Sequence, residues 1–170
     1  MLAYIFLVIA IGLRFLPHPF HFTPVGAALL FFGAYRTRRE LWVPVALLAV
    51  SDVLLNRFTY GYPLQPDQLL IWAWYAAMVA VGVLLARRVS ALRVTGAALT
   101  ASVGFFLLSN FAVWVGYNMY PATWQGLVAC YVAAIPFFRN TVASDLVFSA
   151  VMFSIPAAIS ACTREHSARI

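Results

Sequence analysis

The sequence predicts an all-α, polytopic membrane protein, and three observations lead there. Hydrophobic residues make up 64% of the 170 residues and charged ones only 9%, whereas soluble domains carry roughly 45–50% apolar and about 25% charged residues. The apolar residues fall in long runs, not in the alternating ten-residue segments of a membrane barrel. Inside lipid every backbone donor and acceptor needs a partner within the segment, so runs of this kind must be helices. A single helical membrane domain is expected over 1–163, followed by a short cytoplasmic tail at 164–170.

Seven apolar runs, at about 1–16, 22–35, 41–56, 68–86, 94–117, 121–138 and 141–162, compare with the ~20 residues that one span needs. The first is like the apolar part of a signal peptide, but no positive residue precedes it and no small-residue cleavage pattern follows, so it is expected to remain as span one. After it comes RFLPHPFHFTPVGAALLFFGAY, where Pro17, Pro19 and Pro24 fix φ and remove backbone donors. No continuous helix crosses such a stretch, which therefore predicts a turn between two helices. The first two spans are short, and tilt or a loop dipping into the outer leaflet is expected. Ala76 and Ala80 on the fourth run, and Gly96, Thr100 and Gly104 on the fifth, repeat at the four-residue spacing by which membrane helices approach closely. Pro156 predicts a kink in the last span.

All 11 basic residues are arginines, and cytoplasmic loops carry the excess of positive charge. With the N-terminus inside and the run at 121–138 not crossing, Arg36, Arg38, Arg39, Arg87, Arg88, Arg93, Arg164 and Arg169 are all inside. Only Arg14, Arg57 and Arg139 are then outside. A crossing run would send Arg164 and Arg169 out and bring Arg139 in, a poorer balance. The expected topology is six transmembrane helices plus a re-entrant or interfacial helix at about 121–138, with both termini on the cytoplasmic side of a bacterial inner membrane.

Counting inward from the helix ends at ~1.5 Å per residue puts Asp52 roughly 6 Å and Asn110 roughly 11 Å below the outer surface. Asp145 lies about one turn into span six and Arg14 near the outer end of span one. Ionisable groups within lipid are costly and face a partner or a cavity. Two readings stay open: internal glue, with Arg14 as the cation of a structural ion pair to Asp52 or Asp145 and Asp145 near a helix start behind an Asn140 cap, or a pocket. Trp72, Trp74, Trp114 and Trp124 crowd the same outer side, and the inner half has no matching set of acids and amides. An outward-facing pocket is expected, roofed by the first loop, the loop 57–67 and the segment 118–140. Its candidate ligand-binding residues are His18, His21, Asp52, Asn56, Trp74, Asn110, Trp114, Asn140 and Asp145.

Other chemistries find little support. Without lysine there is no P-loop and no Schiff-base mechanism. There is no G-x-S-x-G elbow, and Asp52 and Asp145 lack the neighbouring motifs of an intramembrane aspartyl protease, so no enzyme is expected. The basic residues form no stripe with interleaved aromatics, and no nucleic-acid partner is expected. His18 and His21 give an H-x-x-H spacing too weak to predict a metal, and no cofactor is expected. Cys130 and Cys162 fall at opposite membrane faces, so no disulfide is expected between them.

The segments FTPVGAALLFFGAY, Ser51-Asp52, SNFAVW and IPFFRNTVASDLVF resemble an uncharacterised family of small bacterial membrane proteins. That family is similar in turn to the substrate-binding S components of energy-coupling factor (ECF) vitamin transporters. The resemblance extends from about residue 14 to 155. It implies a ligand site near the outer surface, and as partners an ECF coupling subunit and two ATPases, besides membrane lipid and the small-molecule ligand. Ala3, Ala10 and Gly12 do not reproduce the small-x-x-x-small docking face of S components. The leading expectation is a binding and uptake subunit for a small, vitamin-like nutrient. The alternatives are a helical interaction subunit without a ligand and a solitary ion-coupled carrier, the latter because two acids at similar depth could relay protons.

Overall fold

The prolines between the first two apolar runs leave short helices on either side. In the structure, a computed structural model that describes residues 1–16, 22–61, 65 and 67–167, α1 (Leu2–Leu13) ends at Arg14 and α2 (Val25–Tyr35) begins behind Pro24. Side chains are described as far as residue 160. At ~1.5 Å per residue these two helices cover only ~18 and ~17 Å, against the ~30 Å of a hydrocarbon core. The third run is longer than its α-helix. A 3-10 turn (Arg38–Glu40) leads into α3 (Trp42–Leu54), and a π-helical segment (Leu55–Tyr60) carries it on until Gly61, at φ 69°, turns the chain in a left-handed conformation that glycine adopts freely. Then follow α4 (Asp67–Leu85), α5 (Ala91–Gly116) and α6 (Trp124–Ser167). Ser90 caps α5 by accepting from the Arg93 N–H, and Thr123 Oγ1 accepts from the Gly126 N–H at 3.2 Å at the start of α6.

The described residues thus form six α-helices without a strand. Four helical stretches, Arg38–Tyr60, Asp67–Leu85, Ala91–Gly116 and Trp124–Ser160, are long and apolar enough to cross a membrane, which makes this a membrane protein. Six full-length spans are not found, since α1 and α2 are too short. Nor is 121–138 a separate re-entrant helix. From Trp124 on it is the first part of the 44-residue α6, which runs unbroken through Pro136 and Pro156. Proline removes a backbone bond but need not end a membrane helix when neighbouring groups satisfy what it frees.

Helix α2 is the axis of the packing, in contact with α1, α4, α5 and α6. Residues 27–33 of α2 are buried on every side, which accounts for its being apolar all round. Phe31 meets Phe6 of α1 at 4.9 Å and Phe153 of α6 at 5.2 Å, both edge to face. Gly33 and Gly82 mark the crossing of α2 with α4: a Cβ on Gly33 would strike the Val79 carbonyl, and one on Gly82 the Leu30 carbonyl. Gly26 of α2 and Gln68 of α4, each in the first turn of its helix, lie at the same end of the bundle, so the two helices run the same way. Both begin at one end of the bundle, and Arg36, Arg38 and Arg39 gather with Arg87, Arg88 and Arg93 at the other. There Arg36 is held by Glu40 at 2.8 Å through Nε and lies 4.9 Å over the Tyr4 ring.

The small residues expected to mediate close approach are mostly elsewhere. Ala76, Ala80, Gly96 and Thr100 are exposed on the bundle surface, and a Cβ on Gly96 would meet open space. Only Gly104 is in tight contact, against the Trp74 ring rather than against another backbone. Spacing identifies small residues but not which face of a helix meets a neighbour. Alanine gains about 1 kcal/mol of helix propensity over glycine at either kind of site, while overpacking costs typically 1–3 kcal/mol. Gly33→Ala should accordingly lower the melting temperature of the detergent-purified protein, and Gly96→Ala should leave it unchanged or raise it. Equal responses would contradict this packing.

Candidate functional site

Arg14 follows the last turn of α1, and from there its guanidinium reaches α3. Nη2 donates to Asp52 Oδ1, and Nη1 donates to Ser51 Oγ at 2.6 Å. Asp52 is 4% exposed, a depth at which a lone carboxylate would be strongly disfavoured. Its second oxygen is filled from α4: Gln68 Nε2 donates to Oδ2 at 3.0 Å and Trp72 Nε1 at 2.9 Å. Ser51 Oγ in turn donates a hydrogen bond to the Leu48 carbonyl at 2.8 Å, and Asn56 Nδ2 donates to Gln68 Oε1 at 3.5 Å. This network ties the ends of α1, α3 and α4 together. Because the π-helical segment prolongs α3 by six residues, Asp52 lies farther from the helix end than counting had placed it.

Asp145, equally buried, has a different environment. It stands at the middle of α6 and not near its start, so Asn140 is no helix cap; Asn140 is half-buried within α6. Ser102 Oγ of α5 donates to Asp145 Oδ2 at 2.7 Å. The other side of the carboxyl packs on Gly26, where any Cβ would collide with it. Gly26 belongs to the first turn of α2, whose free N–H groups carry partial positive charge. Next to it, Ser144 Oγ donates to the Thr23 carbonyl at 2.6 Å, docking α6 onto the start of α2. Among the described residues no cation lies within ion-pair distance of Asp145.

Between these two polar groups is a cavity of about 640 Å³, to which all six helices or their ends contribute. Arg14, Asp52, Asn56 and Gln68 line one wall and Thr141 and Asp145 another, with Phe15, Tyr60, Trp74, Tyr75 and Phe105 as aromatic surfaces. The benzo ring of Trp74 packs against Gly104 of α5, where a Cβ would collide with it. The volume is in the range of small-molecule sites, ≈ 300–1,000 Å³, and so is the mixture of apolar walls with a few polar groups.

Of the candidate residues read from the sequence, the cavity gathers Asp52, Asn56, Trp74 and Asp145, together with Arg14. It does not gather Asn110, whose Nδ2 donates to the Phe106 carbonyl of its own helix at 2.7 Å. Trp114 is also elsewhere: its Nε1 donates to the Pro121 carbonyl at 2.9 Å and closes the turn between α5 and α6. Asn140 does not line the cavity, nor does any residue of 118–140, so that segment is no roof over it. His18 and His21 lie outside the described residues. Gln68, Tyr75 and Thr141 on the walls, and Ser102 behind Asp145, are additions that the sequence did not signal, since their relevance comes from which way α4, α5 and α6 face; Trp72, placed on the outer side by the sequence, joins through Asp52.

The sequence matches over residues 1–167 a protein family described as "Family of unknown function (DUF6580)". No curated protein and no solved structure matches the chain.

Losing one partner of a buried ion pair typically costs about 3–5 kcal/mol, much of it the penalty on the charge left behind. Arg14→Met should therefore destabilise strongly in a detergent melt. Adding Asp52→Asn should recover part of the loss, because the stranded charge goes with it. A double variant no more stable than Arg14→Met alone would show that the two side chains are not coupled.

Proposed function

The chain belongs to this family of unknown function, and we propose that it is a substrate-binding or uptake protein for a small, ring-bearing nutrient that occupies the cavity. The observation that carries the reading is the convergence of all six helices on one cavity with polar groups at two of its walls. Tightly packed internal glue would need the network around Asp52 but not the space beside it. With the arginine-rich end of the bundle in the cytoplasm, as the positive-inside rule requires, the cavity is in the outer half of the membrane. On that topology α1 and α2 complete a six-helix transmembrane bundle, the shorter pair supported within the longer four.

An S component of an ECF transporter would bind the molecule here and leave the energy supply to a coupling subunit and ATPases. A solitary ion-coupled carrier is the second reading, and a specific feature favours it. Thr141, Asp145 and Ser149 follow one another at four-residue spacing along one face of α6. Ser149 Oγ is buried without a hydrogen-bond partner, one turn beyond the cavity wall. Such a polar strip extends from the cavity toward the arginine-rich end.

Mass spectrometry of small molecules released from the purified, denatured protein tests the proposal. A ring-bearing compound near one equivalent, lost in Trp74→Ala while the variant stays folded, is the expected result. Reconstitution of the protein alone then separates the two readings: uptake of that compound into liposomes driven by an ion gradient would identify a carrier, and binding without uptake a subunit. No compound released, or one retained unchanged in Trp74→Ala, would count against the cavity as its site.

A further inference from the structure

The two carboxyl groups of the cavity differ in what they still lack. Asp52 is complete, with a guanidinium on one oxygen and an amide and an indole N–H on the other. Asp145 has one hydroxyl donor, on Oδ2, and Oδ1 accepts no hydrogen bond among the described residues. The first turn of α2 beside Gly26 supplies partial positive charge, but no full counter-charge. Among the described lining residues the guanidinium and carboxyl groups are those of Arg14, Asp52 and Asp145; the first two cancel, which leaves Asp145 as the carboxyl without a partner of opposite charge, a partner that a bound cation would supply.

Between the low-dielectric walls of a recess a carboxylate without a counter-charge favours a cation more than it would at an open surface. Aromatic faces act in the same sense, because ring quadrupoles attract ammonium groups within ≈ 6 Å of the centroid. Trp74, Tyr75 and Phe105 supply such rings on the α4 and α5 walls, Trp74 packed closely on Gly104. The same arrangement opposes a carboxylate or phosphate ligand: among the described lining residues the guanidinium, that of Arg14, is already bound to Asp52 and Ser51, and a second acidic group would lie beside Asp145.

We propose that the cavity selects a small organic cation, an amine or amidine carried on an apolar ring-bearing body, with its charged N–H group directed at Asp145. The inference rests on the reading of the cavity as a small-molecule site and adds the charge class of its occupant. The hydroxyls of Ser102 and Thr141 flank the contact, Ser102 by holding Asp145 Oδ2 and Thr141 by lining the same wall one turn earlier on α6.

Thermal melting of the purified protein with matched probes tests it: tryptamine, tryptophol and indole-3-acetate, and phenethylamine, 2-phenylethanol and phenylacetate. Each set keeps the ring and varies the charge. In both sets the amine should raise the melting temperature most, the alcohol less and the carboxylate not at all. In Asp145→Asn, which retains a polar partner for Ser102, the advantage of amine over alcohol should disappear. Alcohols or carboxylates stabilising as well as the amines would overturn the charge selection and leave the binding site standing. An amine advantage that survives in Asp145→Asn would also overturn it, and the wild-type ranking decides the matter if that variant does not fold. No shift with any of the six probes would overturn this inference, while release of a non-cationic ring compound in the mass-spectrometric experiment would still uphold the site.

Discussion

A guanidinium and a carboxylate withdrawn from water persist only when each is matched, and the Arg14–Asp52 pair is the constraint on which the cavity end of this bundle depends. Arg14 comes from the end of a helix too short to span the membrane, so its reach to α3 determines where α1 stops relative to the rest. Gln68 and Trp72 bring α4 to the same carboxylate. Three helix ends are thereby kept at fixed separations by directional bonds, whereas apolar packing alone has no fixed geometry and would favour closing the space between them. The hollow beside Asp52 is a consequence of this frame.

Helix α2 performs the complementary task. Its buried run of apolar residues fits against α1, α4, α5 and α6, and its Gly33 together with Gly82 of α4 lets the two backbones cross. At the opposite end of the same helix, Gly26 admits the Asp145 carboxyl. One helix thus combines tight packing at the arginine-rich end with a polar wall at the other. Gly104 repeats the principle on α5, where it receives the benzo ring of Trp74 instead of a backbone. Missing side chains therefore serve two purposes here, close helix contact and placement of the groups that surround the cavity.

What could be read in the sequence follows from how rarely each residue type occurs in lipid. Arg14, Asp52 and Asp145 stand out because charges are scarce in apolar runs, and all three line the cavity. Asn110 stood out equally and is elsewhere, because an amide within a helix can satisfy itself on the carbonyl four residues back, here that of Phe106. Gln68 and Ser102 are ordinary in composition, and their part depends on the rotation of α4 and α5, which near-uniform hydrophobicity does not encode. Proline misled in one direction only. Pro17, Pro19 and Pro24 lie between α1 and α2, but Pro136 does not interrupt α6, so a predicted separate helix is part of a continuous one. The helical membrane class depended on composition and on the length and pattern of the apolar runs, none of which requires knowing how each helix is rotated.

The central claim is that a polar frame keeps an unfilled, water-accessible recess among six apolar helices. Thiol labelling tests it most directly, with Thr141→Cys placed on the cavity wall and Leu30→Cys in the packed centre of α2, both in a protein whose Cys130 and Cys162 are replaced by serine. A small, membrane-impermeant methanethiosulfonate reagent should modify the cysteine at 141 rapidly and leave that at 30 unreacted in the folded protein. Protection of both positions, with labelling only after unfolding, would mean that the recess is closed or filled, and would contradict the account.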